Sequence, residues 1–280
     1  MLNLYHHTAQ KCSKVVTEMY STSFTLGIKS LAKELHLPIY SIYGFVRVAD
    51  EIVDTFHDFD KKTLLERFEK DTYLAINEGI STNPILHAFQ LVVNKYGIDI
   101  EQIAAFLKSM KMDLDTNNYS DTSYEEYIYG SAEVVGLMCL KVFCKGNQAQ
   151  YLELEEGAKY LGSAFQKVNF LRDITSDYFD RGRMYFPNIE FESFSEADKK
   201  LIEQNIKNEF DEAQKAILRL PTEAKYGVQL AYDYYLSLFE KIKATDVGAL
   251  QSKRIRVPNY QKIGLLVGSI VKRKIKIFES

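Results

Sequence analysis

Apolar residues recur along this 280-residue chain at intervals of three and four positions, the spacing of one face of an α-helix. The runs at residues 64–73 and 103–110 are examples. Strand-like alternation is confined to residues 275–277, and the sequence contains no Gly/Ser-rich linker and no internal repeat. The pattern therefore predicts one all-α domain over residues 1–280, built from roughly ten helices.

Turn and capping residues predict where some of these helices begin. Pro38 is expected to precede a helix that continues to Phe56, because proline removes a backbone donor from a helix interior. Ser123 and Glu126 have the spacing of a capping box. They predict that a helix begins near Ser123 and runs to Phe143.

Composition narrows the function classes. The net charge of −3 and the pI near 6.0 argue against a nucleic-acid partner. The three cysteines, Cys12, Cys139 and Cys144, form no CxxC pair and are interpreted as free thiols of a reducing compartment. No signal-peptide pattern and no apolar run of about 20 residues is found. We therefore expect a cytoplasmic protein.

The first segment with recognisable chemistry spans residues 43–54. On a helix, Tyr43, Arg47, Asp50 and Asp54 lie along one stripe, and the residues between them are mostly apolar. A helix that is apolar on most sides is buried, so its acidic stripe should face a cavity or a cation.

A second segment, residues 166–177, repeats this arrangement. Gln166, Asn169, Asp173 and Asp177 share one helix face, and Arg172 lies beside them. A single pair of carboxylates one turn apart is usually a solvated face. Two such pairs in apolar surroundings instead favour shared binding of Mg²⁺, which prefers hard oxygen ligands and retains several waters.

These two segments resemble the motifs of the squalene/phytoene synthase family, and the resemblance extends over about residues 21–258. The second motif is followed by a further matching run at residues 181–187. Residues 20–24 resemble the family's early diphosphate-binding segment, with Tyr20 where His is frequent. The resemblance implies a single-domain helical bundle of the class I isoprenoid synthase type with a central apolar cavity.

Two later stretches also match the family. Residues 129–136 resemble its Gly/Ala-rich helix, although Glu133 stands where many members have Gly. Residues 231–235 and 254–258 resemble its last active-site helix and basic loop. Tyr235 aligns best with the late active-site tyrosine, and Tyr232 and Tyr234 are the alternatives in register. Ser176 stands in the second motif where an acidic residue is common.

The resemblance implies roles for residues at the matching positions. The expected catalytic residues are Arg47, Asp50, Asp54, Asp173, Asp177 and Tyr235. The expected substrate-binding residues are Tyr20, Ser21, Thr22, Ser23, Phe24, Tyr43, Arg47, Gln166, Arg172 and Tyr235. The expected metal ligands are Asp50, Asp54, Asn169, Asp173 and Asp177. The metal is expected to be Mg²⁺, with Mn²⁺ as an alternative.

The implied reaction joins two identical prenyl diphosphates head to head, through a cyclopropylcarbinyl diphosphate, to give a linear hydrocarbon. The favoured substrate is geranylgeranyl diphosphate, which would yield phytoene. Farnesyl diphosphate, giving squalene, dehydrosqualene or hydroxysqualene, is the alternative, and NADPH would be needed only for squalene. A class I terpene cyclase and a non-catalytic assembly factor of the same fold are the less favoured classes.

The C-terminal stretch at residues 263–274 is apolar and ends in a basic cluster. It predicts peripheral contact with the inner face of a membrane, and a last helix packed on the bundle is the alternative. The sequence is compatible with a monomer and leaves the oligomeric state and the substrate chain length open.

Overall fold

A computed structural model describes residues 1–115, 119–252 and 254–255. Within these ranges the chain forms helices and loops and no strand, which confirms the all-α prediction. The helices are α1 (Leu2–Tyr20), α2 (Thr22–Lys29), α3 (Lys33–Asp54), α4 (Lys61–Glu78), α5 (Pro84–Tyr96), α6 (Ile100–Asp115), α7 (Asp121–Ile128), α8 (Val134–Phe143), α9 (Gln148–Arg181), α10 (Glu196–Ile217), α11 (Thr222–Lys243) and α12 (Val247–Leu250). A π-helical turn (Tyr129–Glu133) joins α7 to α8, and a 3₁₀ turn (Phe191–Ser193) precedes α10.

Two apolar clusters form the core. One lies among α3, α4, α5, α6 and α8, where the rings of Phe45 and Phe89 stack with centroids 3.9 Å apart. The other lies mainly among α9, α10 and α11 and includes the fully buried Phe210 and Phe239. Burying each such ring contributes roughly 1.5–3 kcal/mol. The clusters hold α3 and α9, the two acidic helices, in the same bundle.

Both helix starts predicted above were wrong. Helix α3 begins at Lys33, so Pro38 lies inside it and removes one backbone hydrogen bond. The nearly inaccessible Leu35 shows that tertiary packing stabilises this first part of the helix. The N-cap of α7 is Ser120, whose hydroxyl accepts from the Ser123 N–H at 3.3 Å. The predicted end at Phe143 is confirmed.

Glycine allows two close helix approaches beside the π-helical turn. A Cβ added to Gly162 of α9 would lie 2.7 Å from the Ala132 carbonyl oxygen. One added to Gly130 would lie 2.5 Å from the Ala105 carbonyl oxygen. Because backbone meets backbone at these crossings, α9 and α6 both approach the π-helical turn closely.

Several predictions concern residues outside the described ranges. They are the strand-like tail at residues 275–277, the apolar stretch at residues 263–274 and the end of the basic loop at residue 258. Among the described helices, none combines the length and the apolar character needed to cross a membrane.

Candidate active site

A central cavity of about 430 Å³ lies between the helices. Its walls come from the π-helical turn and from helices α2, α3, α6, α7, α8, α9, α10 and α11, and they are mainly aliphatic and aromatic. Eight of the residues predicted to form the site line it. They are Ser23, Phe24, Tyr43, Arg47, Asp50, Gln166, Asn169 and Tyr235. The expectation of a central apolar cavity is therefore confirmed.

The acidic stripe of α3 reaches the polar end of this cavity, its mouth, where Arg47 and Asp50 line it and Asp54 lies just beyond the lining. Arg47 Nη1 donates to Asp50 Oδ2 at 2.5 Å, and the other arm of the same guanidinium donates to Glu51. The exposed ring of Tyr20 lies over Arg47, with 4.4 Å between the guanidinium carbon and the ring centroid. Tyr20 thus contacts the site through Arg47 and is not part of the cavity wall.

The acidic stripe of α9 forms the other side of this mouth, where Gln166 and Asn169 line the cavity and Asp173 and Asp177 lie beyond the lining. Arg172 Nε donates to Asp173 Oδ1 at 2.9 Å, and Arg254 Nε lies 2.7 Å from the same oxygen. One turn earlier along α9, Asn169 Oδ1 accepts from the Tyr235 hydroxyl at 3.3 Å. The carboxylate of Asp173 therefore lies between two guanidinium groups.

Arginines from the segment that ends α9 connect the two acidic helices. Arg181 Nη1 donates to Asp177 Oδ1 at 2.6 Å, and its Nε lies 3.5 Å from Asp54 Oδ2. Arg183 Nη1 donates to Asp54 Oδ1 at 3.1 Å. Residues 181–187 match a motif of the family, but no role was predicted for these two arginines. The positively charged run after the second acidic motif was the available signal.

Three aromatic residues predicted for the site, Phe24, Tyr43 and Tyr235, form one continuous wall with Phe165. Phe24 lies 5.4 Å from Tyr43 and 6.4 Å from Tyr235, measured between ring centroids. Phe165 stacks on Tyr235 at 3.9 Å. By contrast, Tyr232 packs edge-on against the core residue Phe210 and lies outside the cavity lining.

The residues of the early segment, 20–24, differ in whether their side chains reach the cavity. The Ser21 side chain caps α2 by accepting from the Phe24 N–H at 3.2 Å. Ser23 lines the cavity, whereas the Thr22 side chain is exposed and does not. The diphosphate-binding role of this segment stays a prediction.

Comparison with known proteins assigns the family. The squalene/phytoene synthase family model matches residues 17–261. The chain belongs to this family. Its relatives include phytoene synthase 1, chloroplastic, of Solanum lycopersicum, which is 26% identical over 94% of this chain and 67% of its own length. Phytoene synthase, chloroplastic, of Cucumis melo is 28% identical over 94% of this chain and 66% of its own length. The chain thus spans about two thirds of these relatives.

Solved structures share the fold of this family member. A dehydrosqualene synthase determined in complex with a ligand superposes with a TM-score of 0.82 at 22% identity, covering 96% of this chain and 98% of its own. Squalene synthase HpnC from Alicyclobacillus acidocaldarius superposes with a TM-score of 0.75 at 19% identity, covering 86% and 95%. At these identities the similarity establishes the all-α isoprenoid synthase fold.

Two departures from the family pattern lie beside the site. Glu133 is on the π-helical turn but outside the cavity lining, and burial, reinforced by nearby Glu209, raises its pKa to about 7. Ser176 donates its hydroxyl to the Asp173 carbonyl oxygen at 3.0 Å within α9. Neither residue occludes the cavity or replaces one of the four aspartates.

The donor chemistry at the mouth fits Mg²⁺. Asp50, Asp54, Asp173 and Asp177 offer hard carboxylate oxygens from two rigid helices, and Asn169 adds an amide oxygen. Burial, together with the nearby Asp173 and Asp54 carboxylates, raises the pKa of Asp177 to about 7 although Arg181 lowers it. Crowded, poorly hydrated acidic groups of this kind have a high affinity for positive charge.

In the part of the chain that is described, no three His, Cys, Asp or Glu side chains converge closely enough to hold a metal by themselves.

Proposed function

We propose that this protein condenses two identical prenyl diphosphates head to head, through a cyclopropylcarbinyl diphosphate, to a linear hydrocarbon. The observation that carries the proposal is an apolar cavity whose mouth lies between two acidic helices joined by arginines. Such a site accommodates an anionic head group at the mouth and an isoprenoid tail inside. Membership of the squalene/phytoene synthase family supports the same reaction.

Mg²⁺, with Mn²⁺ as an alternative, is the proposed cofactor. Its ligands would be Asp50, Asp54, Asn169, Asp173 and Asp177. Bound there, the metal would supply the Lewis acidity that neutralises the departing diphosphate.

Arginine and polar side chains would orient the diphosphate. A guanidinium offers two parallel donors to phosphate oxygens, so Arg47 and Arg172 are suited to bidentate contacts. Ser21, Ser23 and Gln166 are proposed to add single hydrogen bonds at the same end of the cavity. These contacts would direct the carbon–oxygen bond to the departing diphosphate toward the apolar interior, where the second prenyl group would lie.

The cavity wall would protect the carbocation that remains after diphosphate departs. Water reaching this cation would trap it as an alcohol, so the reaction needs an apolar, water-poor interior. The ring faces of Phe24, Tyr43, Phe165 and Tyr235 can each stabilise a nearby cation by roughly 0.5–2 kcal/mol. Their contiguous arrangement supports a role for these four residues in guiding the cation.

Geranylgeranyl diphosphate is the proposed substrate and phytoene the proposed product. The support is the similarity to phytoene synthases at 26–28% identity. Farnesyl diphosphate is the alternative, and NADPH would be required only if squalene were the product.

We also propose a cytoplasmic location with peripheral membrane contact through residues 263–274, which rests on the sequence pattern alone. Co-sedimentation with anionic liposomes, with and without residues 259–280, tests the contact. Equal binding by both forms would refute it.

The decisive experiment incubates the protein with Mg²⁺ and each prenyl diphosphate separately, followed by mass analysis of the extracted products. A C40 linear hydrocarbon supports phytoene formation, and a C30 product transfers the proposal to farnesyl diphosphate. Parallel reactions with NADPH identify a reductive second step. A cyclic product would favour a terpene cyclase, and failure to release diphosphate from either substrate would refute the enzymatic proposal.

A further inference from the structure

A buried carboxylate lies behind the acidic mouth, outside the cavity lining. Asp113, near the end of α6, has a side chain that is only 5% exposed. Its Oδ2 accepts from the Tyr127 hydroxyl at 2.8 Å, and its Oδ1 lies 3.4 Å from the hydroxyls of both Tyr119 and Tyr185. An ionised group at this depth requires a charged partner as well as hydrogen bonds.

The charged partner is Arg183, whose side chain is 8% exposed. Arg183 Nη2 donates to the Asp113 carbonyl oxygen at 2.8 Å, and Nη1 lies 3.5 Å from Asp113 Oδ1. The same Nη1 donates to Asp54 Oδ1 at 3.1 Å. One guanidinium therefore joins a buried carboxylate on α6 to the last carboxylate of the first acidic motif.

We propose that Asp113 is a positioning residue, which holds Arg183 in the orientation that fixes Asp54 for metal and diphosphate binding. The inference rests on the proposed function above. Asp113 contacts Arg183 through both its backbone carbonyl oxygen and its carboxylate, and these two contacts restrict the orientation of the guanidinium group. Asp54 is the final residue of α3 and depends on such contacts for a fixed side-chain position.

Charge balance gives Asp113 a second effect on Asp54. Arg183 Nη1 lies within 3.5 Å of both the Asp54 and the Asp113 carboxylates, so its single positive charge is shared between them and is not directed at Asp54 alone. Without the Asp113 charge, Arg183 would neutralise Asp54 more completely. Burial raises the pKa of Asp113 to about 7, while Arg183 and the Tyr127 hydroxyl lower it. Arg183 is thus the main group that favours the ionised form of Asp113.

The test uses the full chain and measures binding without turnover. Mg²⁺ is titrated calorimetrically into protein that contains inorganic diphosphate, for the wild type, Asp113→Asn and Arg183→Lys. Asparagine keeps the volume but presents N–H donors toward groups that are themselves donors. Lysine keeps the charge but lacks the fork that spans Asp54 and Asp113. Asp115→Asn, at an exposed position of the same helix, is the matched control.

We expect Mg²⁺ affinity to fall about tenfold or more in Asp113→Asn and in Arg183→Lys, and to be unchanged in the Asp115→Asn control. The double variant should lose less Mg²⁺-binding free energy than the sum of the losses in the two single variants, because both substitutions break the same contact between Asp113 and Arg183. Wild-type affinity in Asp113→Asn would overturn the inference even if its melting temperature fell. Should that variant not fold, wild-type affinity in Arg183→Lys would overturn it. If the wild type bound no Mg²⁺ with diphosphate, the proposed function itself would fail.

Discussion

The buried ion pair between α9 and α10 leads to a quantitative prediction about the helix that carries the second acidic motif. Lys167 Nζ lies 2.5 Å from Glu209 Oε1 and 2.6 Å from Asn205 Oδ1. Ser163 donates to the same Glu209 oxygen at 2.8 Å. Both charged side chains are only 11% exposed. Lys167→Met keeps the apolar stem and removes the charge, so Glu209 becomes a buried carboxylate without its cation.

Removing one partner of a buried pair costs about 3–5 kcal/mol of unfolding free energy. The matched control is Lys207→Met, which breaks the i,i+4 pair with Asp211 on α10. There the side chains are 42% and 54% exposed. Exposed pairs contribute about 1 kcal/mol or less. Urea unfolding followed by circular dichroism should therefore separate the two variants by at least about 2 kcal/mol.

The pH dependence provides an independent check on Lys167→Met. Burial raises the pKa of Glu209 above its ordinary value, while Lys167 and Ser163 lower it. Without Lys167 this pKa should rise further, so the folded state binds the proton more tightly than the unfolded state. Stability is then lost as pH rises from the unfolded value toward the folded one. The variant should be less destabilised at pH 5 than at pH 8. Equal losses for Lys167→Met and Lys207→Met at both pH values would refute this reasoning.

Three further predictions concern the site and the cavity wall. Asp173→Asn should slow Mg²⁺-dependent diphosphate release by more than about 100-fold, measured by phosphate assay, with little change in melting temperature. A wild-type rate of release in this variant would exclude Asp173 as a metal ligand. Gly162→Ala should destabilise by about 1–3 kcal/mol, because the new Cβ would lie 2.7 Å from a backbone carbonyl oxygen. Gly27→Ala is the control, because a Cβ there would lie 3.7 Å from its nearest neighbour, and it should leave stability unchanged or raise it. Thermal melts of the two variants measure the difference, and equal melting temperatures for Gly162→Ala and Gly27→Ala would contradict this reasoning. Cys12 and Cys139 are both half-buried, but Cys139 lines the apolar cavity, where poor hydration raises the pKa of its thiol to about 12. Iodoacetamide at pH 8 should therefore label Cys12 first, as read by peptide mass analysis, and faster labelling of Cys139 would contradict this prediction.

Local periodicity was sufficient to predict an all-helical chain and the acidic stripes of two of its helices. Residues one turn apart on a helix share a face whatever the fold, so Asp50 and Asp54 had to lie together, as did Asp173 and Asp177. The apolar residues around both pairs indicated that each helix is buried and that its polar face meets a cavity. Family motifs added the expected fold and reaction. All of this information is carried within short windows of the chain.

Only the tertiary structure decided how the two stripes are connected. Arg181 and Arg183 follow the second motif in the chain, yet both contact Asp54 of the first, and no local pattern encodes that distance. The place of Asp113 behind Arg183 likewise depends on how α6 packs beside α3. Pro38 was mispredicted for the same reason, because burial of the first turns of α3 outweighs the proline's local preference. Periodicity determined which side chains share a face, and long-range packing determined which faces meet.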